Sequence, residues 1–274
     1  MTSGPALEAE PAGAPDPREP LLVVRGLSRS FRGLKALVDY DLDLPAGRIH
    51  GVIGPNGAGK TTLFHVLSGF LRPTAGSIRF DGEEIAGWPS YRVARLGIAR
   101  TFQNIRLFGD ESVIDNVIVG LQAHAPRSLL ATLLSSPRFQ AEERALEERA
   151  LELLELFGIA AHSERVARHL AYGDQRRLEI ARAVASNPRI LLLDEPNAGM
   201  NPVETQELLA LIRRLRDELK ITVVLVAHDI PLVMNLCDRI QVLNYGRTIA
   251  DGDPAAVRAN AEVIAAYIGQ ARSA

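Results

Sequence analysis

Hydrophobic and polar positions change period several times along the chain. From Leu21 the segments LLVVRGLSRSF, ALVDYDLDL and RIHGVIG alternate or run continuously aliphatic between RG and PAG turns, which predicts three strands. After Gly59 the pattern KTTLFHVLSGF takes helical spacing, ended by Pro73, and GSIRFDGEEI predicts a strand and turn. From Glu111 to about His169 helix dominates. In AEERALEERALELLELFGI the leucines face one way and Glu/Arg pairs the other, as in a solvated amphipathic helix packed on a core. Alternation then resumes: PRILLLDEP reads as a buried parallel strand, PVETQELLALIRRLRDELK as a helix and ITVVLVAHD as a second buried strand. DRIQVLNYGRTIADGD predicts two strands around an Asn-Tyr-Gly turn, and PAAVRANAEVIAAYIG one closing helix. The fold class is α/β.

Composition adds limits. Residues 1–19, MTSGPALEAEPAGAPDPRE, hold almost nothing to bury and are expected to be a disordered tail. The charge balance, 31 Lys and Arg against 33 Asp and Glu, gives −2 with both signs interspersed, so no basic field marks the surface for nucleic acid. The single cysteine, Cys237, cannot form an internal disulfide, no signal-like segment opens the chain, and a cytosolic setting is expected. No apolar run approaches the roughly 20 residues of a membrane span.

GPNGAGKT, from Gly54 to Thr61, fits the phosphate-loop pattern G-x-x-x-x-G-K-[ST] and lies between a predicted strand and a predicted helix. Gly54, Gly57 and Gly59 let the backbone wrap a phosphate, while successive N–H groups and the helix N-terminus favour negative charge. Lys60 would reach the β- and γ-phosphates of a nucleotide, and the Thr61 hydroxyl would coordinate Mg²⁺. Pro55, Asn56, Ala58 and Thr62 complete the expected nucleotide-binding stretch. ILLLDE puts Asp194 and Glu195 at the end of a buried strand, where parallel sheets line their ligand crevices. Asp194 would hold Mg²⁺ through water, and Glu195 would orient or deprotonate an attacking water.

The phosphate loop, TFQN, LAYGDQRRLEIARA, ILLLDEP, AGMNP and VLVAHD occur in the order and approximate spacing of the ATP-binding subunits of ABC transporters. The chain resembles that family from Leu21 to Gly269. The resemblance implies a RecA-like P-loop core with an antiparallel β subdomain and an α-helical subdomain, over residues 20–252. It places the helical subdomain at about 111–171 and a C-terminal helical extension at 253–274. It implies ATP and Mg²⁺ as ligands, with Gln103 sensing the metal and the attacking water, His228 contacting the γ-phosphate and Phe31 stacking on adenine.

By the same resemblance the ATPase works in a head-to-tail pair. LAYGD, with Ala171, Tyr172, Gly173 and Asp174, would face the ATP held by the partner, and AGMNP would adjoin it. LAYG, AGMNP, the segment HAPRSLLATLLSSPRFQAEER and the end EVIAAYIG are similar to one of the two ATPase subunits of branched-chain amino acid importers. That similarity implies a second ATPase, two transmembrane permease subunits, a substrate-binding protein reached indirectly, no nucleic acid, and a peripheral place on the cytoplasmic face of the membrane. Urea or amide importers use the same residues, and soluble ABC ATPases acting on nucleic acid or ribosomes are the competing class. Ala171 lacks the hydroxyl that LSGG-type loops aim at the γ-phosphate, so unequal ATP sites are expected.

Overall fold

The computed structural model describes residues 20–124, 137–227 and 229–271. The expected tail 1–19, residues 125–136 of the inserted segment, and His228 lie outside the described residues.

Strand β1 (Leu22–Phe31) turns back into β2 (Leu34–Leu44), and β3 (Ile49–Ile53) feeds a glycine loop that opens α1 (Lys60–Leu67). Then come β4 (Ala75–Phe80), β5 (Glu83–Glu84), α2 (Ser90–Arg95), β6 (Ile98–Arg100), α3 (Val113–Leu121) and α4 (Pro137–Leu156). The second half runs α5 (Tyr172–Ala185), β7 (Ile190–Asp194), α6 (Pro202–Asp217), β8 (Thr222–Val226), α7 (Ile230–Leu236), β9 (Arg239–Asn244) and β10 (Arg247–Gly252). Two short helices, α8 (Pro254–Ala259) and α9 (Ala261–Ala271), follow.

Strands β2-β1-β4-β5 make an antiparallel sheet. The second sheet has the order β10-β9-β3-β8-β7-β6, parallel throughout except for the antiparallel β9–β10 hairpin. Residues in β7 and β8 alternate between two cores, because successive side chains of a strand point to opposite faces. Leu191, Leu193, Val223 and Leu225 join the core beneath α3, α5, α6 and α7, whereas Ile190, Leu192, Val224 and Val226 join the one shared with α1 and the antiparallel sheet. Burial on both faces explains why the sequence of these strands is continuously aliphatic.

Parallel pairing has a functional consequence: β3, β6, β7 and β8 all end on the same edge of the sheet, so the loops after them converge.

Three local differences from the sequence reading have physical causes. Helix α1 ends at Leu67 rather than at Pro73, because Ser68 Oγ donates to the Phe64 carbonyl at 2.5 Å and Gly69 turns left-handed at φ 72°. The expected closing helix is two helices, since Asn260 leaves helical geometry (φ −74°, ψ 120°) and its side chain caps α9. Strand β6, at the sheet edge, is only three residues long and has no periodicity to announce it.

Candidate active site

The loop after β3 wraps a cleft of about 300 Å³ lined by Asn56 to Thr62 with Ala36, Gln103 and Glu195. Two glycines admit no other residue. A Cβ on Gly54, at φ 151°, would lie 2.1 Å from the Leu243 carbonyl oxygen, and one on Gly59, at φ 108°, would lie 2.5 Å from that of Ala36. Gly59 caps α1 without a side-chain hydrogen bond, so the first N–H groups of that helix face the cleft with the positive end of its dipole. The buried Lys60 ammonium donates to the carbonyls of Gly54 (2.6 Å) and Pro55 (2.9 Å). Burial lowers the pKa of Lys60, and the carboxylates of Glu195 and Asp194 oppose that shift.

Across the cleft β7 ends in Asp194, buried and paired with Arg100 at 2.8 Å. Arg100, the last residue of β6, also donates to Ser68 Oγ at 3.3 Å and lies over the rings of Phe64 and Phe102. Glu195 turns away in left-handed geometry (φ 49°), its N–H donating to the Val226 carbonyl at 2.8 Å. Such a conformation is strained for a non-glycine residue and re-aims the carboxylate one residue after the strand. Gln103 Nε2 donates to Glu195 Oε2 at 3.3 Å, so the two residues meet at the cleft mouth.

Helix α5 holds the backbone that carries Gln103. Fully buried Arg176 donates to the carbonyls of Phe102 and Gln103, both at 2.8 Å, and pairs with Glu179 at 2.9 Å. Glu179 in turn accepts the N–H groups of Phe102 and Arg106, each at 3.3 Å. Sequence reading passed over Arg100, Arg176 and Glu179. The available signal for the last two was an Arg/Glu pair three residues apart beside apolar Leu178, Ile180 and Ala181, all buried.

Ala171 caps α5 with no side-chain bond, and neither it nor Tyr172, Gly173 or Asp174 lines the cleft. These residues pack instead against the following loop. A Cβ on Gly173 would sit 3.0 Å from Glu204 Oε1, and the Tyr172 ring lies against Gly199. Glu204 belongs to a capping box with Asn201, whose side chain accepts the Val203 and Glu204 N–H groups at 2.9 and 3.0 Å. Asp174 pairs with Arg177 at 3.8 Å. Phe31 closes β1 at 37 % exposure beneath the Arg29 guanidinium, 4.6 Å from its ring centre, and does not line the cleft.

Residues 37–198 match the family model described as "ABC transporter", spanning the phosphate loop, Gln103, the start of α5 and the Asp194–Glu195 pair. The chain belongs to the ABC transporter family. Residues 247–272 of this cassette match a second model, "Branched-chain amino acid ATP-binding cassette transporter". The chain is 48 % identical over 252 residues to the high-affinity branched-chain amino acid transport ATP-binding protein BraF of Pseudomonas aeruginosa, covering 92 % of this chain and 99 % of that protein. It is 46 % identical over 253 residues to LivG of Escherichia coli K12, of the same description, with the same coverage. A crystal structure of the ADP conformation of an ATP-binding cassette of an ABC transporter superposes with TM-score 0.79 at 29 % identity, covering 91 % of this chain and 98 % of that one.

Proposed function

We propose that this cassette is the ATP-hydrolysing subunit of an importer for branched-chain amino acids. The observation that carries the catalytic part is the cleft itself, in which the phosphate loop with Lys60 faces Gln103 and Glu195 in mutual contact. ATP places its phosphate tail against the loop N–H groups and the α1 N-terminus. Lys60 exchanges its Gly54 and Pro55 carbonyls for β- and γ-phosphate oxygens. Glu195 accepts a proton from, or orients, the attacking water, with Gln103 fixing the carboxylate. His228, two residues beyond β8 in sequence, supplies a contact to the γ-phosphate.

The residues present fit Mg²⁺. Thr61, Gln103 and Asp194 offer hard oxygens, and among the described residues no group of three or more His, Cys, Asp or Glu could hold a cation by itself. That donor set suits an ion which takes part of its shell from nucleotide phosphates. When bound, the ion neutralises charge on the β- and γ-oxygens.

Helix α5 presents Ala171 to Asp174 to the ATP of a second cassette in a head-to-tail pair, and Phe31 stacks on adenine. No helix among the described residues is long and apolar enough to cross a membrane. In the proposed assembly two permease subunits supply the pathway, and the cassette docks on them from the cytoplasmic face. Docking uses residues within 111–171 and their neighbours. A mostly apolar groove of about 520 Å³ lies there, between Phe102, Leu107 and Phe108 on one side and Val119 and Gly120 of α3 on the other. A binding protein acts on the far side without touching this chain.

The test is uptake by the assembled transporter in proteoliposomes. Labelled leucine, isoleucine or valine should enter only with ATP inside, and urea should not compete. Uptake of urea or short amides in preference to leucine contradicts the solute assignment while leaving the ATPase intact.

A further inference from the structure

Asp194, a carboxylate that fits Mg²⁺, already has a cation beside it. Strand pairing puts that cation there. Arg100 ends β6 opposite Leu192 of β7, and the next residue continues the match: the Thr101 N–H donates to the Leu192 carbonyl at 3.0 Å, and its hydroxyl accepts the Asp194 N–H at 3.4 Å. From this position Arg100 Nη2 donates to Asp194 Oδ2 at 2.8 Å. Oδ1 is the oxygen left for another partner.

Arg100 has no second anion to turn to. Its other contacts are neutral: Ser68 Oγ and the Thr101 carbonyl, each at 3.3 Å, and the rings of Phe64 and Phe102, with centres 5.6 and 5.2 Å from the guanidinium carbon. Among the described residues it is also the one cation in ion-pair contact with Asp194. Lys60, the other cation of the cleft, donates to the Gly54 and Pro55 carbonyls instead. A buried carboxylate needs a counter-charge at all times, and an arginine cannot shed its proton to stop supplying one. Before any ligand arrives, Lys60 and Arg100 already balance Asp194 and Glu195.

We propose that Arg100 is a positioning residue for the metal: a built-in counter-cation that holds Asp194 in place and keeps it from taking a divalent ion until nucleotide phosphates supply the rest of the shell. Like charges repel strongly where water is excluded, so the guanidinium weakens the hold on a free divalent ion and strengthens the hold on metal-free nucleotide. Metal and nucleotide therefore enter together, rather than metal first. The inference rests on the nucleotide reading of the cleft, and the experiment separates the two.

In the full-length chain, binding of a fluorescent N-methylanthraniloyl ATP is measured with excess Mg²⁺ and again with EDTA. The quantity read is the ratio of the two dissociation constants, EDTA over Mg²⁺. Arg100→Gln keeps a donor for Asp194 and removes the charge, so the ratio should rise about ten-fold or more, the size of effect one unit charge exerts a few ångströms away. Arg100→Lys keeps the charge, and its ratio should stay near the wild-type value. An unchanged or lowered ratio in Arg100→Gln overturns the proposal, including the case where both affinities fall equally because packing alone is lost. A rise in Arg100→Lys as large as in Arg100→Gln overturns it too. Mn²⁺, followed by electron paramagnetic resonance, gives a reading that needs no variant: the wild type should bind it only with ATP present, and binding as tight without nucleotide overturns the proposal. Absence of nucleotide binding by the wild type under both conditions instead overturns the reading of the phosphate loop, and this inference with it.

Discussion

Arg176 donates through Nη2 to the backbone carbonyl of Gln103 at 2.8 Å, joining the helix that begins at Tyr172 to the loop that meets Glu195. The helix end proposed to meet a partner's ATP and the glutamine beside this chain's own cleft are thus fixed to each other through one fully buried guanidinium. Movement at either end must be transmitted or must break these bonds.

Removing that guanidinium should be felt both in stability and in turnover. Arg176→Met leaves Glu179 buried and unpaired, an arrangement that destabilises by about 3–5 kcal/mol. Arg176→Lys keeps the charge but cannot span two carbonyls and a carboxylate, so it should fold and still turn over ATP more slowly. In a double-mutant cycle with Gln103→Ala the losses in turnover should be non-additive. Strict additivity contradicts the link.

The Arg100–Asp194 pair is the second buried ion pair of the site, with side chains only 5 % and 3 % exposed. Arg100→Met should lower stability in urea by about 3–5 kcal/mol, because Asp194 would keep its burial and lose its counter-charge. The exposed pair Arg214–Glu218, at 2.9 Å, is the control. Arg214→Ala should leave the urea midpoint unchanged within error.

His50 is 2 % exposed, and its Nε2 has no hydrogen-bond partner among the described residues. Desolvation pushes its pKa down to about 4, against the opposing pull of Asp251 and a hydrogen bond to Gln241. Between pH 6.5 and about 4 the unfolded chain therefore binds the proton more readily than the folded one. The His50 contribution is present above pH 6.5 and is lost as pH falls toward 4, a loss on the order of 3 kcal/mol. Urea midpoints measured across this window should fall for the wild type, and less steeply for His50→Gln.

Ala171 opens α5 without capping it. Ala171→Ser supplies an N-cap hydroxyl, expected to raise stability by about 0.5–2 kcal/mol. In the assembled transporter it should also tighten or speed the ATP site completed by this loop. Unchanged ATP affinity and turnover in the purified heterodimer refute the expected asymmetry.

The sequence announced the parts of this site whose chemistry depends on backbone pattern. The glycine loop between strand and helix and the acidic pair ending ILLLDE are local signals, and their convergence follows from parallel strands ending on one edge. Side-chain contacts made across long sequence separations were not legible. Arg176 reaches carbonyls more than seventy residues earlier, and Arg100 belongs to an edge strand too short for periodicity. The break at Asn260 was not legible either, since asparagine within an otherwise helical pattern marks a cap only through the N–H groups its side chain accepts.

Hydrolysis in this cleft depends most directly on Glu195. In the transporter reassembled with its membrane subunits and second ATPase, Glu195→Gln keeps the size and hydrogen-bonding shape of the side chain and removes its basicity. The variant should still bind ATP, while hydrolysis at this cassette's site falls about 10²-fold or more and leucine uptake falls with it. ATP turnover and uptake at wild-type rates would contradict the assignment of this cleft as the place where ATP is hydrolysed.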